Sequence, residues 1–367
     1  MADTRVQKMA QVLVHYSLGV KEGMWVRIGG GVETAPLLTE VYVEALKAGG
    51  FPMVRPNLPR LAYLTIKHAN EEQLKFITPT ALLECEKLDA ILTVWGESNT
   101  KEMSNVDPRR LALSSAANRP VFEKMLARIA SGSLHWCGTQ FPTPSAAQDA
   151  EMSHDEYEDF VYGAGYLDKK DPVAEWKKVS VRQAAMVKQL SRLKTIRIAG
   201  IDTDLSFNVR GRKWINCDGH ENFPDGEVFT GPVEDTASGH IRYSFPAVHG
   251  GKEVENVRLV FDKGKVVEAK ASKGEEYLHS MLDTDAGARY VGELSFGTNY
   301  GIKRFTRNTL FDEKIGGTMH IALGASLPES GGKNKSALHW DMVCDTRKGF
   351  VVYGDGKPIL KNGKWVA

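Results

Sequence analysis

Cysteine is scarce in this chain and never paired along it. Cys85, Cys137, Cys217 and Cys344 form no Cys-x-x-Cys pair, and their spacings match no zinc ribbon or finger. At 367 residues burial alone sustains a fold, so no disulfide staples are needed and the four read as reduced thiols. A surplus of charge is missing too. Lys plus Arg number 47 and Asp plus Glu 46, which argues against a protein built to hold nucleic acid or an anionic membrane. No apolar run approaches the ~18 residues that span a bilayer. Met1-Ala2-Asp3-Thr4-Arg5 opens without the hydrophobic stretch of a secretory signal. What remains is ordinary globular composition, 42% hydrophobic and 25% charged. The expectation is a cytoplasmic protein that binds neither nucleic acid nor membrane.

At about 150 residues per domain the length predicts two domains. The first half alternates segment types. Val6 to Leu18 carries apolar residues at helical spacing, and Met24 to Ile28 is a short buried strand. A helix follows from Thr34 to Lys47, closed by Gly49-Gly50. Strands at Phe51 to Arg55, Leu88 to Trp95 and Leu134 to Gly138 alternate with helices at Ala69 to Glu86 and Arg119 to Ala130. This order predicts a doubly wound, mostly parallel sheet with helices on both faces. A long helix is expected from Asp171 to Lys194. From Thr195 onward the segments are strand-rich, with hairpins predicted at Lys263-Gly264, Asp355-Gly356 and Asn362-Gly363. The expected domains are therefore 1–194, α/β, and 195–367, a strand-rich α+β domain.

Several motifs are too incomplete to carry chemistry. Gly29-Gly30-Gly31 lacks the third spaced glycine of a dinucleotide loop, Thr34 standing there, and reads as a tight turn. Gly331 to Ser336 has Asn334 where a Walker loop needs Ser or Thr. His220-Glu221 has Pro224 where a zincin helix needs its second histidine. Lys303-Arg304 with Arg307 reads as a solvated loop.

The informative residues lie in the last 140 or so positions. His339 and Asp341 sit two apart in the apolar segment Ala337 to Val343, so on a strand they face the same way. Burying them unpaired costs roughly several kcal/mol. A divalent cation would resolve that cost, as would a His–Asp hydrogen bond at a sheet edge. His320 stands in a second apolar run, Thr318 to Gly324. Glu227, Glu293 and Glu313 each interrupt or border an apolar segment, and each alone reads first as a surface acid or helix cap. Gathered together, four carboxylates could not converge without cations. Two divalent ions would balance them, as in a di-metal hydrolase.

The order Gly226-Glu227, Gly292-Glu293, Phe311-Asp312-Glu313-Lys314-Ile315-Gly316-Gly317-Thr318-Met319-His320 and Ala337-Leu338-His339-Trp340-Asp341 resembles the thermophilic-type di-metal aminopeptidases, the aminopeptidase S/T family. The resemblance extends over nearly the whole chain. It implies metal ligands at Glu227, Glu293, Glu313, His320, His339 and Asp341, with Glu293 between two divalent ions such as zinc or cobalt. It implies proton transfer by Glu227 or Glu293, a peptide substrate and a homodimer. One position departs from the family pattern. Leu327 stands seven residues after His320, where family peptidases carry a tyrosine that can stabilise an oxyanion. Tyr243 and Tyr300 are the phenols considered as replacements. Two other readings stay open on this evidence from sequence. One is an iron(II) ring-cleaving dioxygenase on the same scaffold, using His320, His339 and Asp341 around one metal. The other is a non-catalytic metal-binding homologue.

Overall fold

A computed structural model describes residues 3–366. Internal contacts divide the chain into two units. One holds the residues up to 173 together with Gly219–Pro224; the other holds Ala174–Asp218 and the residues from Asp225 onward. A cut at residue 194 assigns the helix Pro172–Leu190 to the first half. Its contacts instead lie mostly with the second, because the Gln183 side chain donates to the carbonyls of Cys217 and Glu227 and Leu190 enters the second core.

The first unit is built on five parallel strands in the order Phe51–Asn57, Trp25–Gly31, Ala90–Trp95, His135–Gln140 and Asn222–Phe223. The order reverses direction at Trp25–Gly31, so right-handed crossovers carry helices to opposite faces of the sheet. Val26, Ile28, Ile91 and Leu92 are buried, as continuous apolar strands require. The three glycines end the first strand at the turn into helix Ala35–Lys47. Two helices differ from expectation. The segment from Ala69 to Glu86 is broken into Glu71–Lys75 and Pro79–Lys87, because Thr78 caps a new start ahead of Pro79. The later helix begins at Pro108 behind the Asp107 cap and runs to Ala130 with Pro120 inside it.

The second unit contains an eight-stranded and a five-stranded antiparallel sheet and a two-stranded ribbon. All three expected hairpins form. Their turn pairs, Lys263-Gly264, Asp355-Gly356 and Asn362-Gly363, have positive φ at both residues, the backbone that two-residue hairpins favour. The five-stranded sheet runs His339–Cys344, Met319–Gly324, Val291–Gly297, Glu227–Thr230, Ile215–Cys217. One face is apolar: Val228, Leu294, Phe296, Met319, Ile321, Leu323, Trp340 and Met342 join a continuous core. The other face carries the polar residues of the same strands.

Strict alternation would place Val291 and Glu293 on the same face. The register shifts between them, so Val291 pairs with Leu323 on the core side while Glu293 pairs with Ala322 on the polar side. Gly292 makes this bulge possible, since a Cβ there would sit 2.2 Å from the Ala325 carbonyl oxygen. Gly292→Ala is accordingly expected to destabilise the protein by about 1–3 kcal/mol through overpacking, measured as a lower urea midpoint. An unchanged midpoint would mean that the strand accommodates a side chain and that the bulge does not depend on glycine.

Candidate metal centre

Register gathers the polar face. Glu293, Ala322 and Asp341 are directly paired across three neighbouring strands, and the small Ala322 separates the two carboxylates. His320 pairs with Ser295 in the adjoining row, and His339 pairs with Gly324. Glu227 opens its own strand opposite Gly297. Glu313 comes from outside the sheet, at the end of the short helix Thr309–Asp312. All six residues singled out from the sequence are thus brought together in the second unit.

Both imidazoles are oriented by backbone carbonyls. His320 Nδ1 lies 3.2 Å from the Glu313 oxygen, and His339 Nδ1 lies 2.8 Å from the Ala325 oxygen. A carbonyl only accepts, so each Nδ1 carries a proton and donates it, and each Nε2 is turned towards the carboxylates. His320 Nε2 is 3.0 Å from Glu293 Oε1, 3.6 Å from Glu227 Oε2 and 3.7 Å from Asp341 Oδ1. His339 Nε2 is 3.4 Å from Asp341 Oδ1 and 3.7 Å from Glu293 Oε2. Glu293 therefore presents one oxygen to each histidine. The donor atoms of Glu227, Glu293 and His320 lie within 4.8 Å of one another, as do those of Glu293, His339 and Asp341, and those of Glu313, His320 and Asp341.

Burial makes this arrangement electrostatically demanding. His320, Glu293 and Glu227 are almost wholly buried, whereas the His339 side chain keeps 32% of its surface and marks the open side. Burial disfavours the imidazolium of His320, but the Glu293 hydrogen bond and the charges of Glu227, Glu293 and Asp341 outweigh it and push its pKa up to about 10. His339 also rises to about 10, burial again being overcome, here chiefly by Asp341. Burial raises Glu293, and raises Glu313 to about 8 despite the neighbouring Lys314. Asp341 is driven well below its ordinary value, the histidine charges outweighing its burial.

The donor set fits divalent metal. An imidazole whose Nδ1–H is committed to a carbonyl has only a lone pair at Nε2. A lone pair 3.0 Å from a carboxylate oxygen is repulsive unless a cation stands with them. Protons serve in the metal-free protein, hence the raised imidazole pKa values. A divalent ion satisfies several of these oxygens and a nitrogen at once. Mixed imidazole and carboxylate donors suit zinc, cobalt or manganese.

Sequence reading missed two contributors. Ser295 Oγ donates to Glu227 Oε2 at 2.8 Å. Lys314 is fully buried, with Nζ 3.5 Å from Glu227 Oε1 and hydrogen-bonded to Glu313 Oε1. In sequence it is one charge in an Asp-Glu-Lys run, and nothing there marks it as buried. Cys217, Asp225 and Glu227 also cluster within 4.8 Å, but the Lys314 ammonium already serves Glu227 on that side. Leu327 is half-buried, and its carbonyl accepts from Ser330. Neither tyrosine considered as a replacement phenol supplies one. Tyr243 is packed in the apolar core, and the Tyr300 hydroxyl donates to the Gly363 carbonyl.

A model of the thermophilic metalloprotease family (M29) matches residues 2–365. The chain is 25% identical to aminopeptidase 2 of Geobacillus stearothermophilus, covering 99% of this chain and 98% of that one. It is 27% identical to aminopeptidase T of Thermus thermophilus, covering 98% of each. Among solved structures, wild-type AmpT from Thermus thermophilus superposes with a TM-score of 0.84 at 26% identity over 99% of both chains. The 2,5-dihydroxypyridine dioxygenase of Pseudomonas putida KT2440 has a TM-score of 0.62 at 14% identity over 99% of this chain and 97% of that one, a likeness of fold alone.

The raised pKa values give the metal-free protein a defined pH response. His320 and His339 titrate near 10 in the fold against 6.5 when unfolded, so the stability they contribute is full below pH 6.5 and is lost as pH rises to about 10. Glu313, raised from 4.5 to about 8, acts in the same direction as it ionises. Asp341 contributes only above 3.8, and its share is lost in acid. The melting temperature of chelator-treated protein is expected to fall from pH 6.5 towards pH 10, and excess divalent cation to flatten that fall. A metal-free melting temperature that rises over this range would contradict the charge arrangement described.

Proposed function

The chain belongs to the thermophilic metalloprotease family M29, and from that premise we propose that its six converging donors hold two divalent cations in the active site of a metal-dependent aminopeptidase. The observation that carries this reading is Glu293, whose two carboxylate oxygens face two different histidines, His320 and His339. A carboxylate so placed suits a pair of cations, with Glu227, Glu313 and His320 on one side and His339 and Asp341 on the other. Asp341 also lies within reach of His320, which keeps the two sides close.

Held by these donors, divalent cations would supply polarisation of the scissile carbonyl and acidification of a water molecule. The protein's own groups do the rest. The Glu313 and Ala325 carbonyls fix both imidazoles with Nε2 towards the reaction space. A carboxylate, Glu227 or Glu293, takes the proton from the attacking water and delivers it to the leaving amine. Ser295 fixes the orientation of Glu227. The substrate is a peptide with a free N-terminus, approaching on the exposed side of His339. The family resemblance further supports a homodimer, for which sedimentation is the test. Four free thiols support a reducing, cytoplasmic setting.

Purified protein is expected to carry two divalent ions per chain by elemental analysis. With zinc, cobalt or manganese it should release chromophore from leucyl anilides, and a chelator should abolish the release. No hydrolysis with any of these metals across neutral and alkaline pH would defeat the reading. One oxygen-sensitive iron per chain would support a dioxygenase instead. The acids Glu227, Glu293 and Glu313 argue against that outcome, since the two histidines and one carboxylate of an iron(II) triad leave them without a use.

Leu327 bears on rate rather than on metal binding. If a phenol at this position donates to the oxyanion in related peptidases, Leu327→Tyr should raise kcat by up to about 10²–10³-fold with metal content unchanged. An unchanged kcat would mean that this chain stabilises the oxyanion by other groups.

A further inference from the structure

Lys314 is the one component of the cluster that neither the metal-ligand set nor the proton-transfer step uses. Its side chain has no solvent exposure. The backbone around it is pinned, with its N–H donating to Phe311 and its carbonyl accepting from Asn299. The ammonium reaches Glu227 Oε1 and Glu313 Oε1. The other oxygen of Glu227 accepts from Ser295 and faces His320. One oxygen of each acid is thus held by a fixed positive charge.

We propose that Lys314 is a positioning residue that acts as a resident cation of the centre, restricting Glu227 and Glu313 to one metal-facing oxygen each and weakening the hold on the second divalent ion. The inference rests on reading the six donors as a two-cation centre. The charge count supports it. Glu227, Glu293, Glu313 and Asp341 with Lys314 sum to three negative charges when the histidines are neutral. One divalent cation leaves one negative charge, and a second brings the centre to one positive. The first ion therefore enters an attractive field and the second a much weaker one. Carboxylates limited to one oxygen also keep the coordination number low, leaving positions for water and substrate. Without Lys314 both acids are free to chelate through two oxygens, and the centre binds metal more tightly but has less room for substrate.

The test uses metal-free full-length protein titrated with cobalt(II), read by calorimetry and by visible absorption. Wild type is expected to bind two cobalt ions with clearly separated affinities and to show the strong bands of four- or five-coordinate cobalt. Lys314→Met is expected to bind the second ion about tenfold or more tightly, to show the weaker bands of six-coordinate cobalt, and to lose kcat. Lys314→Arg, which keeps the charge, should retain the wild-type separation of affinities. A merely structural lysine predicts the opposite sign for Lys314→Met: weaker binding of both ions with unchanged bands, which would overturn the proposal. If neither variant folds, wild type decides, since two equal affinities or six-coordinate bands would also overturn it. Failure of wild type to bind cobalt at all would defeat the metal-centre reading itself. Two bound ions with no change in Lys314→Met would defeat only the role given to Lys314.

Discussion

Four carboxylates, two imidazoles and one ammonium converge on one face of a five-stranded sheet in a pocket closed except beside His339, and compensating their charge is the constraint on which the centre depends. Each group is tolerable only because the others are there. Removing a single partner from a buried ion cluster commonly costs about 3–5 kcal/mol, because it leaves a charge unanswered. The metal-free state meets the constraint with protons, holding both histidines as cations at ordinary pH. Divalent ions would meet it with fewer, more concentrated charges and would release the imidazoles to act as ligands. Metal affinity, proton affinity and fold stability are therefore linked properties of one cluster.

The sheet supplies the precision that this balance requires. Cross-strand neighbours in an antiparallel ladder lie about 4.5–5.5 Å apart, a suitable spacing for donors that share an ion. Three strands deliver Glu293, Ala322 and Asp341 in one row, and the alanine keeps that row from filling. The opposite face, with Trp340, Phe296 and Ile321, packs into the core and fixes the strands against sliding. A one-residue slip would turn the ligands into the core and the core residues into the site, so apolar packing and metal chemistry select the same register.

Much of this was legible in the chain. His320, His339 and Asp341 interrupt apolar runs with a period of two, and the strand reading of those runs already places His339 and Asp341 together. The hairpins were legible because turns with positive φ at two positions favour Asp, Asn and above all Gly, and each of the three has Gly at its second position, Lys263 being the unusual first residue. Glu293 was legible only as an acid in an apolar strand. Its facing depends on a bulge at Gly292, which no alternation rule reveals. Lys314 was not legible at all, since an Asp-Glu-Lys run has the same composition on a surface as in a buried cluster. Two helix limits differ from expectation at prolines that the periodicity did not weigh. Pro120 lies within a continuous helix that starts earlier, at Pro108, and Pro79 marks a break inside the segment from Ala69 to Glu86.

The departure at Leu327 follows from the same distinction between compensated charge and local contact. Each of the six donors is anchored by its neighbours, so replacing one would unbalance the pocket and weaken the fold as well as the chemistry. Position 327 lies beyond the strand Met319–Gly324, half-buried, on a segment whose backbone bonds to Ser330 and is independent of the side chain. An isobutyl group there disturbs no ion pair and leaves the orienting carbonyl of Ala325 in place against His339. Charge compensation therefore constrains the six donors tightly and position 327 hardly at all. On the proposed reading the residue at 327 would bear on the transition state alone, and that is where a chain with all six donors in place would retain freedom to differ in rate or in substrate.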